Sequence, residues 1–165
     1  MVEPKKVKVG IRITDEEGGL FPREWLWAHV VREDGAGGIY CLLNTAFYGP
    51  FALGDLVEAH RRRNGELIVT GLHRRGGRTS WLLMFYLHVS DQRVEQLAAA
   101  WQSTGTWVEG FGGKRISVAL EGTADARPTD AEISELSRTG EVEFAMLLAD
   151  PDDAPDNPVF RNLVA

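Results

Sequence analysis

The most apolar stretch of the chain, Trp81–Val89, predicts a central β-strand. All of its residues are apolar except for the polar tips of Tyr86 and His88, and turn residues flank it on both sides. A run this short, apolar and aromatic is typical of a strand that is covered on both faces. On a strand the odd-numbered residues from Trp81 to Val89 share one face, which we expect to pack on helices.

The chain before this strand predicts a meander of short strands. Basic and apolar residues alternate at its start, as expected for an edge strand, and Arg32–Gly38 predicts a loop between two paired strands. Asn64-Gly65 predicts a type I′ turn at the tip of a second hairpin. Together these segments predict a small, strongly bent sheet or partial barrel. The predicted strands are Lys5–Ile13, Glu24–Val31, Ile39–Leu43, Leu56–Ala59 and Glu66–Leu72.

After Ser90 the hydrophobic period changes to that of a helix. Ser90 is a predicted N-cap, Val94, Leu97, Ala98 and Trp101 follow the helical spacing, and Gly105 predicts the end. A second helix is predicted from a capping box of Thr129 and Glu132, with Ile133 and Leu136 facing the core and Gly140 at its end. The flanking strands are predicted at Thr106–Gly110, Arg115–Leu120 and Glu141–Leu148.

The order strand, helix, strand, strand, helix, strand from Trp81 onward is that of a ferredoxin-like βαββαβ half. Its first and third strands, Trp81–Val89 and Arg115–Leu120, are then expected at the centre of the sheet. The fold class is therefore α+β, with an antiparallel β subdomain at 1–80, a ferredoxin-like subdomain at 81–149 and an extended acidic tail at 150–165. On the face opposite the helices we expect Tyr86, His88, Trp107, Arg115, Ser117 and Glu143.

Length and composition predict a protein of the cytoplasm. A chain of 165 residues buries a core without a metal or disulfide, and the single cysteine, Cys41, has no partner for an internal bridge. A lone cysteine fits a reducing compartment. The basic start of the chain lacks the apolar segment of a secretion signal, and no run reaches the roughly 18 apolar residues of a membrane span.

The charges are distributed unevenly along the chain. The net charge of −6 contains a segment from His60 to Ser80 with six arginines and Glu66 as its one acid, which is +5. The segment from Glu121 to Asp156 has eleven acids against Arg127 and Arg138, which is −9. Such asymmetry steers encounters with charged partners.

The arginines are the first candidate binding residues. If the two turns that carry them lie at the same end of one sheet, they form a positive surface suited to phosphate or carboxylate groups. The alternative is that they are solvated turn residues. A nucleic-acid partner is disfavoured by the pI of about 5.2. The candidates are Arg61, Arg62, Arg63, Arg74, Arg75 and Arg78.

No motif predicts catalysis, a metal or a cofactor. The four histidines, His29, His60, His73 and His88, lack a metal-ligand spacing. Cys41 lies within a predicted strand, where a cysteine usually behaves as a small hydrophobe, although His29 or His60 could pair with it. The glycines at 110–113 precede a strand and not a helix, which excludes a phosphate-binding loop of the usual kind.

Several segments together resemble an uncharacterised bacterial family, domain of unknown function four-two-six-five. They are EWLWAHVV at Glu24–Val31, LGDLVEA at Leu53–Ala59, RTSWLLMF at Arg78–Phe85 and the strands TWVEG and RISVAL. The resemblance covers roughly Arg12 to Leu148, and LGD is its most specific part. It implies a bacterial source and no particular activity. The arginines around Arg61 and Arg74 depart from the family pattern.

These observations predict a non-catalytic, partner-binding protein with an immunity or regulatory role. The expected partner is another protein, and the sequence predicts no oligomeric state. One alternative is an enzyme or small-molecule binder that uses a cleft between the two halves, with Tyr86, His88 and Arg115 as polar contacts. Another is nucleic-acid binding through the arginine-rich hairpin tips.

Overall fold

The computed structural model describes residues 4–13, 23–110, 112–121 and 124–147, which form a mixed α+β structure. The chain divides into two compact units after Gly77, slightly before the boundary predicted after residue 80. The predicted tail at 150–165 lies outside the described residues. Neither helix of the described chain has the length and hydropathy that a membrane span requires. The elements are β1 (Lys6–Arg12), β2 (Arg23–Asp34), β3 (Gly37–Leu42), β4 (Leu56–Arg61), β5 (Leu67–Arg74), β6 (Thr79–Phe85), α1 (Asp91–Ser103), β7 (Trp107–Gly110), β8 (Arg115–Leu120), α2 (Arg127–Arg138) and β9 (Val142–Leu147).

The first unit is a closed barrel of five strands in the order β1-β2-β3-β4-β5. Consecutive strands pair antiparallel, and β1 and β5 close the barrel in parallel. The alternation of apolar and polar residues directs every second side chain inward, where they form a buried core. Its members include Val9, Leu26, Tyr40, Val57 and Leu67.

The predicted loop at Arg32–Gly38 is mostly strand. Pairing between β2 and β3 shifts by a bulge between Val30 and Arg32 and then continues to the pair Asp34↔Gly37. A Cβ atom on Gly38 would lie 2.0 Å from the carbonyl oxygen of Arg32. The glycines that predicted a loop therefore allow β3 to approach β2 closely across the bulge.

The turn between β4 and β5 is not of type I′. In the described chain only glycines have positive φ, so Gly65, with φ of 87°, has this conformation and Asn64 does not. The amide of Gly65 donates to the carbonyl of Arg62 at 2.9 Å, and the amide of Arg62 donates to Glu66 at 2.8 Å. This pattern is that of a type I turn followed by a glycine bulge, which also closes a tight hairpin.

A carboxylate at one end of the barrel joins three strands. Glu33 of β2 accepts hydrogen bonds from Lys5 at 2.9 Å, from the hydroxyl of Tyr40 at 3.2 Å and from Arg61. Its pKa is lowered, chiefly by the hydrogen bond from Lys5. Burial, together with the charge of Glu33, raises the pKa of Tyr40 to about 12.

The second unit is a four-stranded antiparallel sheet in the order β7-β8-β6-β9, with α1 and α2 packed against it. The two strands expected at the centre of the sheet, β6 and β8, are its central strands. Trp81, Leu83 and Phe85 of β6 pack with residues of both helices in one buried cluster. The indole of Trp81 also donates to Asp130 of α2 at 3.2 Å.

Strand β6 ends earlier than the sequence predicted. It stops at Phe85, and a turn follows in which the amide of Val89 donates to the carbonyl of Tyr86 at 3.0 Å. Tyr86 and His88 are therefore turn residues and not strand residues. Leu87, expected to face the helices, is 92% exposed at this turn, because periodicity fails where the strand ends.

The helix caps are predicted correctly in three of four places. Ser90 caps α1 by accepting from the amide of Arg93 at 3.1 Å, and Gly105 and Gly140 follow the two helix ends with positive φ. The capping box of Thr129 and Glu132 is wrong, since α2 begins at Arg127 with a proline in its first turn. The carboxylate of Glu132 instead accepts from the indole of Trp101 at 2.8 Å.

Alanine substitutions at two nearby leucines should have very different effects on the free energy of unfolding. Leu83→Ala empties a fully buried site and should lower the free energy of unfolding by about 2 to 5 kcal/mol. Leu87→Ala removes an exposed side chain and should change it by less than about 0.5 kcal/mol. Urea unfolding followed by tryptophan fluorescence measures both, and equal effects would contradict the observed end of β6.

The hydroxyl of Tyr40 should make the barrel sensitive to alkali. Its pKa in the folded state is about 12, above the ordinary tyrosine value of about 10, so its stabilising contribution is intact below pH 10 and declines between those values. Tyr40→Phe should cost about 1 kcal/mol at pH 8, and this deficit should shrink by pH 11. Urea unfolding of both proteins at the two pH values measures it; a constant deficit would contradict the assignment.

Candidate functional site

The barrel closes through a much shorter ladder than those between its other strands. Strands β1 and β2 pair along their whole common length, from Lys6↔His29 to Arg12↔Arg23. Strands β1 and β5 pair only at Val9↔Leu67 and Gly10↔Ile68 among the described residues. Beyond these two pairs, Ile11 and Arg12 of β1 and Val69–Leu72 of β5 have no ladder pairs with each other, and they line depressions in the surface. The closing seam of the barrel therefore opens into a groove.

This groove, the seam groove, consists of two adjoining depressions, the first of about 400 Å³ and the second of about 480 Å³. Both contain Arg12 of β1 together with Val69 and Thr70 of β5. Ile11, Phe51 and Val69 form an apolar floor, since they also pack in or against the barrel core. Tyr48, with 43% of its surface exposed, stands at the side of the first depression.

The seam groove is positively charged. Arg12 and Arg75 line the first depression, and Arg12, His60 and Arg62 line the second. None of the described residues that line either depression is acidic. Within the described chain, neither Arg12 nor Arg62 has a carboxylate partner within salt-bridge distance. Their guanidinium groups are therefore suited to an anionic ligand.

Arg75, by contrast, is engaged in a buried clamp. The carboxylate of Asp55 is 2% exposed and accepts from the guanidinium of Arg75 at 2.7 Å and from the amides of Gly76 at 2.8 Å and Ala52 at 2.9 Å. The same guanidinium nitrogen donates to the carbonyl of Pro50 at 2.7 Å. These bonds satisfy a carboxylate whose burial would otherwise be costly.

Two glycines let the clamp form. A Cβ atom on Gly76 would lie 2.3 Å from the carbonyl carbon of Gly54, so only glycine allows the two backbones to approach this closely. The LGD segment and the Gly76-Gly77 turn, distant in sequence, thus meet in the structure. The most specific part of the sequence pattern is explained by folding and not by a ligand.

The predicted single arginine surface is wrong. Arg61, Arg62 and Arg63 precede β5, whereas Arg74 and Arg75 are at its other end, so the two turns lie at opposite ends of the barrel sheet. Arg61 is paired with Glu33, and Arg78, in the second unit, is paired with Glu121. Arg63 and Arg74 are exposed and line neither depression of the seam groove. Of the six arginines, Arg62 and Arg75 line the seam groove.

In the second unit the structure brings three of the predicted residues together. Tyr86 and Arg115 line one depression of about 540 Å³, and the rings of Tyr86 and His88 stack with centroids 6.0 Å apart. The hydroxyl of Tyr86 donates to Glu143 at 2.8 Å, and this hydrogen bond raises the pKa of Tyr86. The site is a turn at the end of β6.

Trp107 does not join this group. It pairs with Ala119 at the far end of β8 from Arg115, on the edge strand β7, where half of its surface is exposed. Ser117, expected on the open face, is fully buried. Of the six residues expected to share one open surface, Trp107 and Ser117 therefore lie apart from the other four.

The described residues contain no group of three histidine, cysteine, aspartate or glutamate side chains placed to hold a metal. Cys41 lies opposite His29 in the ladder between β2 and β3. Its thiol is 3.7 Å from the carbonyl oxygen of Gly54 and 4.0 Å from that of Leu42, within hydrogen-bonding distance for sulfur. The thiol is half-buried and acts there as a weak donor.

The chain matches no family model. No curated protein matches it either. Among solved structures it is similar to the crystal structure of a hypothetical protein from Neisseria gonorrhoeae, with a TM-score of 0.67 and 16% sequence identity. The likeness covers 90% of this chain and 98% of that chain. At this identity it establishes the shared fold.

Sequence reasoning missed the other residues of the seam groove. Arg12 reads as one more basic residue of an alternating edge strand, and Tyr48 and Phe51 fall in an irregular segment. The available signal was the strand count, because a meander of five strands that closes must bring β1 beside β5. Arg12, at the end of β1, and Arg62, in the turn before β5, both line one depression at this seam.

The clamp predicts that neighbouring arginines differ in their effect on stability. Arg75→Ala leaves the buried carboxylate of Asp55 without its cationic partner and should lower the free energy of unfolding by about 3 to 5 kcal/mol. Arg74→Ala, at an exposed position, should change it by less than about 0.5 kcal/mol. Thermal and urea unfolding measure both, and a stable Arg75→Ala protein would show that Arg75 is free for another role.

Proposed function

We propose that this is a non-catalytic, partner-binding protein of the bacterial cytoplasm, which holds an anionic protein partner in the seam groove. An immunity or regulatory role is part of the proposal. The observation that carries it is the opening of the barrel seam into a groove whose described lining has arginines and no acids. An apolar floor beside charged groups suits a polypeptide better than a small inorganic anion.

The charges support a protein partner over a nucleic acid. The arginines do not form one continuous stripe, since those at the two ends of β5 are separated by the strand. Arg61, Arg75 and Arg78 are each paired with a carboxylate. Neutralised arginines add little to the counterion release on which nucleic-acid binding depends. Arg12 and Arg62 instead place their positive charges together at one depression of the seam groove.

Two structural expectations belong to the same proposal. We infer that the second unit is ferredoxin-like, and the strand order β7-β8-β6-β9 with antiparallel pairing supports this. Membership of the family domain of unknown function four-two-six-five is likewise a proposal. The meeting of Leu53-Gly54-Asp55 with Gly76 supports it, because it gives the resembling segments a common structural reason.

A peptide titration tests the proposed function. The probe is a fluorescein-labelled peptide that alternates valine with glutamate, and its counterpart alternates valine with lysine. Fluorescence anisotropy should show saturable binding of the acidic peptide, weakened by salt, and at least tenfold weaker binding of the basic one. Equal affinity for the two peptides would contradict an anionic partner.

Matched charge reversals locate the site. Arg12→Glu with Arg62→Glu should weaken binding of the acidic peptide at least tenfold, because both groups line the groove. Arg63→Glu with Arg74→Glu makes the same change in net charge at exposed positions outside it and should have a small effect. Similar losses in the two double variants would assign the binding to overall charge and contradict the groove. Circular dichroism checks that each variant is folded.

A further inference from the structure

We propose that the seam groove takes an extended segment of the partner, in which acidic and apolar residues alternate, and that this segment pairs with the free edge of β5 as an added strand. The inference rests on the proposed function and gives it a binding mode. Four observations carry it: the free edge, the size of the opening, its apolar floor and its basic rim.

The free edge comes first. One side of β5 pairs with β4 along its whole length, from Arg61↔Leu67 to Leu56↔Arg74. On the other side, Leu67 and Ile68 pair with β1, and within the described chain Val69–Leu72 have no strand partner there. An unpaired edge presents backbone amides and carbonyls that can bond to another chain. All four residues line the first depression.

The opening has the size of a short strand. Four residues in extended conformation, such as Val69–Leu72, span about 10 Å from the first Cα to the last at about 3.3 Å per residue. The first depression beside them has a volume of about 400 Å³. Ile11 and Arg12 form its opposite side, so a peptide would lie between β1 and β5 and continue the sheet across the seam.

The two sides of such a peptide meet different surfaces. Alternate side chains of a strand point to opposite faces. One set would meet the floor formed by Ile11, Phe51 and Val69, and the other would point toward solvent, beside the guanidinium groups of Arg12 and Arg62. The first set is therefore apolar and the second acidic. Backbone pairing supplies affinity and the side chains supply specificity, as in other strand-addition complexes.

Backbone methylation separates this mode from simple charge attraction. The labelled valine-glutamate peptide is compared with two N-methylated twins of identical sequence, one for each edge of the peptide. In each twin the alternate amides along one edge are methylated, so that it keeps every charge but loses the amide donors of that edge. With the full-length wild-type chain, the twin blocked on the pairing edge should bind at least tenfold weaker.

The outcomes distinguish the inference from the function on which it rests. Equal affinity of the peptide and both twins overturns strand addition while leaving binding by charge intact. No binding of any of the three peptides overturns the proposed function as well. Tighter binding of a single-stranded oligonucleotide than of the acidic peptide at the same salt concentration overturns both, because that ligand cannot form a β-ladder.

Hydrogen exchange supplies the readout at the edge itself. In the free protein, the amides among Val69–Leu72 that are not bonded to β4 should exchange rapidly, and the acidic peptide should slow them. Amides of β3 provide the control, since both sides of that strand are paired. Edge amides already protected in the free protein would place another segment in the groove and overturn the proposal of a separate partner.

Discussion

Closure of an odd number of meandering strands constrains the whole first unit. Consecutive strands alternate in direction, so the first and fifth must run parallel where they meet, and a parallel pair is held by a different hydrogen-bond pattern from its neighbours. Here that pair comprises only two residue positions in the described chain. The parallel orientation of the seam is a consequence of topology. On this side of β5, Leu67 and Ile68 pair with β1, and Val69–Leu72 have no strand partner among the described residues.

The features of the fold that depend on adjacent residues could be predicted from the sequence, and those that depend on distant contacts could not. The central strand, the cap at Ser90 and the helix ends at Gly105 and Gly140 depend on a few adjacent residues, and the sequence indicated each of them. The end of β6 at Phe85 was not indicated, because Tyr86 and Leu87 continue the apolar pattern into an exposed turn. The strands across Arg32–Gly38 were missed because glycine there serves close packing and not a loop.

The candidate site was harder to predict because it is assembled from distant segments. Six arginines in one stretch of sequence suggested one surface. Strand β5 lies between the two groups of arginines, however, and places them at opposite ends of the barrel sheet. Arg62 was among the candidates and Arg12 was not, although the structure places both on one groove. Arg75 was predicted to bind an anionic group of a partner. It does bind a carboxylate, but this carboxylate is Asp55 of the same chain.

The Asp55 clamp holds the backbone of the barrel independently of Arg12 and Arg62. The carboxylate has three donors from Ala52, Arg75 and Gly76, and the backbone contact of Gly54 with Gly76 fixes the geometry. A substitution at Arg12 or Arg62 would leave every bond of the clamp intact, because neither residue takes part in it. The barrel could in this way acquire a different surface charge at the seam groove without any change in the contacts that hold its backbone.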